Sequence, residues 1–387
     1  MLLWAGQFVS QIGDRLAWVA FPWLVYEATG STLGSGAVFA LYTLPYLFFG
    51  AVAGVFVDRF NRRWVMVAMD VLRCGLALLV PLVAGWSLPL VYVLSFAIAT
   101  CGVLFEPARL AIVPEIVPTG SLLRANSFLA TAENVTEILG WALAGVLVAA
   151  LSTSAAFRLD AASFAVSGVC LALIRYRAPV RAAAERTAHA FFSELREGLS
   201  FLRHHRGLLL NTAMILASIA GMGASAPLGF FLAVRVFGLD TAAFGALEAA
   251  MGIGYFAGSL LLAALATRAH KGWTMIGGFV VMGLSLTIVA VTQSIWQACV
   301  PYALFGLANA AALIAVDTYL QEVIPEGLRG RVLGARMTLT QGTYAVAVLA
   351  SSALASVVDV QLLFIVAGAL IALPAIAGIF SPSIRDV

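Results

Sequence analysis

Ionisable side chains recur inside the apolar runs of this sequence, and they are the residues with chemistry to offer. Asp14 and Arg15 lie about twelve residues into the first run. Adjacent helical residues point about 100° apart, so the two face different partners. Glu106 and Arg109 have the i, i+3 spacing that lets an acid and a base pair along one helix face. Glu133 and Glu137 are spaced i, i+4, so two like charges share a face and repulsion favours one of them holding a proton. An equally weighted reading makes those two glutamates salt-bridge partners for Arg109, Arg124 or Arg336. Glu248 and Asp317 are isolated acids further along. An ionised group in hydrocarbon costs several kcal/mol unless it is paired or wetted, so each is a functional candidate by default. The proton-handling order is Asp14, then Glu106, then Glu133 or Glu137, with Arg109 as the counter-charge.

Composition decides what surrounds these charges. Of 387 residues, 62% are hydrophobic and only 11% charged, and the mean hydropathy is +1.00. A soluble domain carries roughly a quarter charged residues. Apolar runs of about 20 residues recur from end to end, each long enough to cross a bilayer as a helix. They do not alternate as barrel strands do. The expected class is therefore an all-α polytopic membrane protein. Helices are expected at 2–27, 33–57, 64–85, 88–112, 127–151, 158–175, 208–236, 244–266, 273–292, 297–320, 333–356 and 362–380. The first run has no basic leader or small-residue cleavage site, which argues against a signal peptide. Cys74, Cys101, Cys170 and Cys299 all fall in apolar runs without CxxC spacing, so neither a disulfide nor a metal site is expected.

Basic residues cluster in alternate loops: Arg59, Arg62 and Arg63; Arg124; Arg175 to Arg206; Arg268 and Lys271; Arg329 and Arg331. The positive-inside rule makes these loops and both termini cytoplasmic, in a plasma membrane. The division expected is a six-helix bundle over 1–175, a linker over 176–206 and a second six-helix bundle over 207–387. Within the linker, Phe191 to Leu202 has apolar residues at helical spacing, as in a helix lying on the membrane surface. The halves repeat. Trp64 and Trp86 bracket the third run, and Trp273 and Trp296 bracket the ninth, 209 and 210 residues later. Glu115-Ile116-Val117-Pro118 with Arg124 recurs 207 residues on as Glu322-Val323-Ile324-Pro325 with Arg331.

Between the second and third runs lies a charged knot, Asp58-Arg59-Phe60-Asn61-Arg62-Arg63, preceded by Gly54. Four charges in six residues confine it to a membrane surface, as a tight turn. This stretch resembles the Gly-x-x-x-Asp-Arg-x-Gly-Arg-Arg loop of major facilitator superfamily transporters. Gly54, Asp58, Arg59, Arg62 and Arg63 match, while Asn61 replaces the second glycine as the next residue most tolerant of a left-handed turn. Trp4, Gln7 and Gly13-Asp14, the Trp23-Leu24-Val25-Tyr26 stretch and Phe105-Glu106-Pro107-Ala108-Arg109 further resemble the macrolide-efflux and siderophore-exporter branch. Gly140-Trp141-Ala142-Leu143-Ala144-Gly145 stands where antiporters of that superfamily carry a Gly-Pro run, with Trp in place of Pro.

The resemblance implies the twelve-helix major facilitator fold and export of lipophilic or amphipathic small molecules, driven by protons. It implies that Asp58 meets the start of the eleventh helix as one side of a cytoplasmic latch, where a helix N-terminus stabilises a carboxylate. Arg59, Arg62 and Arg63 are expected to pair with Asp70 or Glu115. A substrate cavity between the first, fourth, seventh and tenth helices would be lined by residues such as Phe21, Phe105, Phe230 and Phe305, with Asp317 a further candidate. Import, lipid flipping and siderophore export by the same fold are the alternatives, and a membrane receptor or scaffold is the rival from another class. The four histidines lie in loops and there is no phosphate-binding glycine loop, so neither an enzyme nor an ATP-driven pump is indicated. No cofactor, metal or nucleic-acid partner is expected. The expected partners are the small lipophilic substrate, protons and membrane lipids, with the chain working as a monomer.

Overall fold

The computed structural model describes residues 2–57, 59–117, 135–136, 140, 143–144, 147–148, 150–176, 188–238, 241–265 and 270–385. All regular structure among them is helical. A first compact unit spans Met1–Ala188. It contains α1 Leu2–Thr29, α2 Thr32–Val57, α3 Arg62–Val83, α4 Leu88–Ile116 and α5 Thr153–Leu173. A second unit spans His189–Val387. Its helices are α6 Ala188–His204, α7 Arg206–Phe231, α8 Thr241–Leu265, α9 Lys271–Val289, α10 Ile295–Val323, α11 Glu326–Leu354, α12 Val360–Ile379 and the short α13 Pro382–Arg385. The last turn of α7 continues as a π-helix over Leu232–Val236. Nine of the described helices are long and apolar enough to cross a membrane. Of the twelve expected spans, the fifth (127–151) falls almost wholly outside the described residues, and α5 is the sixth.

Hydropathy located the apolar middles of these helices and missed their polar ends. Helix α5 begins at Thr153, five residues before the expected start, because Ser152 caps it by accepting from the Ala155 N–H. Helix α3 begins at Arg62, so the charged knot is shorter than its sequence implied. Asn61 does not occupy a left-handed turn. Its φ is −68° and its side chain accepts from the Arg63 and Trp64 N–H groups, which makes it the N-cap of α3. The four bracketing tryptophans, Trp64, Trp86, Trp273 and Trp296, are all exposed, as interfacial anchors are.

Within each unit the helices follow one neighbour pattern. In the first, α1 and α3 both pack on α5, α3 packs on α4, and α2 packs on α4. In the second, α7 and α9 both pack on α12, α9 packs on α10, and α8 packs on α10. The repeated glutamates occupy matching places. Glu115, at the end of α4, accepts from Arg62 at the start of α3 and from the Tyr176 hydroxyl. Glu322, at the end of α10, accepts from Lys271 at the start of α9. The first pair is buried and the second open to solvent, so the same clamp holds more firmly in the first unit.

Helix α6 packs on the start of α11. Gly198 lies against the Arg331 carbonyl, Glu197 pairs with Arg331 at 2.6 Å, and Leu202 is buried. Arg196, Ser200 and Arg203 form its exposed face.

Glycines bring α8 and α10 into backbone contact. A Cβ at Gly254 or Gly258 would meet the Cα of Ala303 or Leu307 at 2.8 Å, and one at Gly306 would meet the Tyr255 nitrogen at 2.8 Å. In lipid, such close approach is a main source of helix association. Gly306→Ala should therefore lower the thermal unfolding midpoint in detergent, by about 1–3 kcal/mol of stability. Gly277→Ala on α9, where the added carbon meets nothing within 4 Å, should leave the midpoint unchanged or raise it.

Candidate functional site

In the first unit a cluster of buried charge lies where α1, α3 and α5 meet. Asp70 and Arg73 are spaced i, i+3 on α3, so both project from one face. Arg73 is the cluster's cation. Its guanidinium lies between the rings of Phe105 from α4 and Phe164 from α5, with both centroids 4.9 Å away. This is cation–π packing against two rings, which suits a flat, weakly hydrated guanidinium better than a compact, strongly hydrated ammonium. The Asp14 carboxylate reaches Arg73 at 3.7 Å, an ion pair longer than a hydrogen bond. The Nε of Arg73 makes no hydrogen bond.

Two further acids lie behind that pair. Asp70 and Asp160 are both fully buried; neither carboxylate oxygen of Asp160 has a hydrogen-bond partner, while Asp70 faces Ser167 of α5. Asp160 comes from α5, two turns from its start. Gly13, the neighbour of Asp14, lets α1 approach closely enough that a Cβ there would meet the Asp160 Oδ1 at 2.6 Å. Ser163 and Ser167 continue the same face of α5, and Ser167 accepts from Gln7 of α1. A polar seam thus runs between α1 and α5, through Gln7, Gly13 and Asp14 on one side and Asp160, Ser163 and Ser167 on the other. Tyr46 of α2 and Arg73 both flank Gly102 of α4, with the Tyr46 hydroxyl 3.6 Å and an Arg73 nitrogen 3.7 Å from its Cβ position. Of the three aspartates only Asp14 is accessible, with 35% of its side chain exposed. Arg15 turns elsewhere, its stem against Gly140, as the angle between adjacent helical residues requires.

The other expected residues are placed as follows. Glu106 and Arg109 form a bidentate i, i+3 pair at 2.6 and 2.9 Å, one turn from Phe105. Glu133 and Glu137 lie outside the described residues, as does Asp58 of the knot. Arg59 is exposed, and the Cβ position of Gly54 is open. Arg62 takes Glu115. Arg63 donates to the carbonyls of Leu171 and Ala172 at the end of α5, where a cation meets the negative end of the helix dipole. Asp70, expected as a partner for these arginines, instead lies two turns further into the unit beside Arg73. Phe21 is buried against Phe157 and Tyr42, and Phe230 against Phe231 and Phe244. Phe305 is likewise buried. Asp317 is half-exposed, 3.7 Å from Arg336, and lines a cavity of about 250 Å³ with Leu320, Gln321, Arg329 and Leu333.

Arg73 and Asp160 were absent from the sequence-derived candidates. The spacing of Asp70 and Arg73 inside the third run is the same signal that marked Glu106 and Arg109. Asp160 was hidden by the late boundary assigned to its helix, which put it at a membrane edge.

With this geometry in hand, comparison with known proteins is informative. A family model described as a transmembrane secretion effector matches residues 1–385. The multidrug efflux pump Tap of Mycolicibacterium fortuitum is 24% identical, over 100% of this chain and 96% of its own. Macrolide efflux protein A of Streptococcus pyogenes is 25% identical, over 95% of this chain and 92% of its own. Among solved structures, a bacterial homologue of the iron transporter ferroportin superposes with a TM-score of 0.73 at 16% identity, covering 98% of this chain and 97% of its own.

The cluster makes a definite prediction about stability. Arg73→Ala leaves buried acids facing one another and should cost about 3–5 kcal/mol, the range for breaking a buried pair. Adding Asp14→Asn should recover part of that loss, so the double variant should unfold at a higher temperature than Arg73→Ala alone.

Proposed function

The chain belongs to the transmembrane secretion effector family of major facilitator transporters, and on that premise we propose that it exports lipophilic or amphipathic small molecules in exchange for protons. The observation that carries the proposal is the loose, accessible Asp14–Arg73 pair in the first unit. A proton-driven exporter needs a carboxylate that changes charge within the membrane and a cation that registers the change. Asp14 supplies the first and Arg73 the second. With Asp14 ionised, the pair is held by its Coulomb attraction, strengthened by the low dielectric around it. Protonation removes that attraction and frees Arg73 toward Asp70 on its own helix. The contact between α1 and α3 is thereby altered, and α1 and α3 both pack on α5, so the change is shared by three helices of the first unit.

The cargo class follows from the relatives. Tap and macrolide efflux protein A are named as efflux proteins for drugs, and both align with nearly the whole chain. Export fits alternating access, in which one charge change is used once on each side of the membrane. The basic loops support a plasma-membrane location with both termini in the cytoplasm. Asp58 and the arginines that follow would close the cytoplasmic side as a one-sided latch, since Thr267 stands where a second acid would be needed in the other half. Glu106 with Arg109, and Glu133 with Glu137, would then tune or relay protons nearby.

Inverted membrane vesicles with a lipophilic dye test this reading. Acidifying the lumen should drive dye accumulation, and Asp14→Asn should reduce it to the level of vesicles lacking the protein, while dye-for-dye exchange persists. Acid-driven accumulation retained in Asp14→Asn would remove Asp14 as the carrier. If no lipophilic cargo moves with the proton gradient in the unaltered protein, proton-driven export itself is wrong.

A further inference from the structure

Asp160 has no part in the coupling scheme, yet with Asp70 it is one of two fully buried aspartates described in the first unit. Its carboxylate is fully buried, and neither oxygen receives a hydrogen bond. The nearest polar neighbour on its own helix, Ser163, spends its hydroxyl on the Asp160 backbone carbonyl and so does not serve the carboxylate. The carboxylate points across the seam at Gly13 of α1, one residue from Asp14. Among the described residues, the charged and titratable groups facing it are Asp14 from α1, Arg73 and Cys74 from α3, and Tyr42 from α2. Only one of these is a cation.

That cation is already committed. Arg73 is fixed between Phe105 and Phe164, and its ion pair is with Asp14. Asp70 competes for it from the same helix. Three carboxylates around one guanidinium leave a surplus of negative charge in a medium that does not tolerate it. Burial of an unpaired ion costs several kcal/mol, and binding a proton is the available remedy where no cation or donor can be supplied.

We infer that Asp160 is a second proton-binding carboxylate of the coupling site, holding a proton while Asp14 is paired with Arg73. This rests on the reading of Asp14 and Arg73 as the coupling pair, and extends it from one acid to two. Asp160 in its neutral form keeps Arg73 available to Asp14, because an ionised Asp160 would draw the guanidinium toward α5. Its role is therefore to position the pair, and to add a proton that is exchanged more slowly than the one on exposed Asp14.

Infrared spectroscopy of the purified, lipid-reconstituted transporter at neutral pH reads this directly, through the C=O stretch of protonated carboxylic acids. Asp160→Asn should show one such band fewer than the unaltered protein, and Asp14→Asn should retain that band. An undiminished set of bands in Asp160→Asn, or no such band in the unaltered protein, would overturn the inference. Should Asp160→Asn fail to reach the membrane, Asp160→Glu keeps an acid at the site. Its longer side chain should move the band to a new position, and an unmoved band would equally overturn the inference. Because the spectrum needs no cargo and no gradient, it is unaffected by a failure of proton-driven export. Loss of transport with the band intact would count against the export reading alone.

Discussion

The first unit depends on one guanidinium being held where it is hardest to hold an ion. Arg73 is nearly sealed inside helices that are otherwise apolar, and two aromatic rings with one loosely paired aspartate are its visible support. An ammonium would use the rings less well, since stacking suits the flat, delocalised cation. Everything around Arg73 serves that arrangement. Glycines at 13 and 102 let neighbouring helices close in, and Phe105 and Phe164 come from two different helices so that neither alone can release it.

The proposed coupling draws on how loosely Asp14 is held. At 3.7 Å the Asp14–Arg73 contact is an attraction without a hydrogen bond to break, so separating the two is cheap once the charge on Asp14 is removed. The clamps at the basic end of the unit contrast with it. Arg62 with Glu115 and Tyr176, and Arg63 on the α5 carbonyls, tie α3, α4 and α5 together through close, charge-assisted hydrogen bonds. The unit is thus fixed at one end and adjustable in its middle. The second unit repeats the clamp through Glu322 and Lys271, but described residues there show no matching cluster of three aspartates around an arginine. The proposed coupling therefore rests on the first unit.

Much of the fold was legible because its cause is compositional. Runs of about 20 apolar residues have few ways to satisfy their backbone in lipid, and the paired tryptophans and Glu-x-x-Pro turns marked the repeat. The family resemblance was legible in the loop at 54–63. The candidate site was legible only in part. Asp14 stood out as an acid in an apolar run, and Glu106 with Arg109 stood out by spacing. Asp70 was paired with the charged knot near it, and Asp160 was not singled out, its helix being begun at 158 instead of 153. Both errors have one physical origin. Hydropathy senses where the hydrocarbon begins, while capping by Asn61 and Ser152 decides where the helix begins. Arg73 was passed over because what stabilises it is contributed by Phe164, a partner far away in sequence.

The proposed exchange of cargo for protons requires that Asp14 give up its proton when cargo binds. That requirement is tested most directly by measuring protons released when a lipophilic cationic dye binds the purified transporter in weakly buffered detergent solution. The account predicts proton release on dye binding by the unaltered protein and none by Asp14→Asn, with dye binding preserved. Dye binding without proton release in the unaltered protein, or undiminished release in Asp14→Asn, would contradict it.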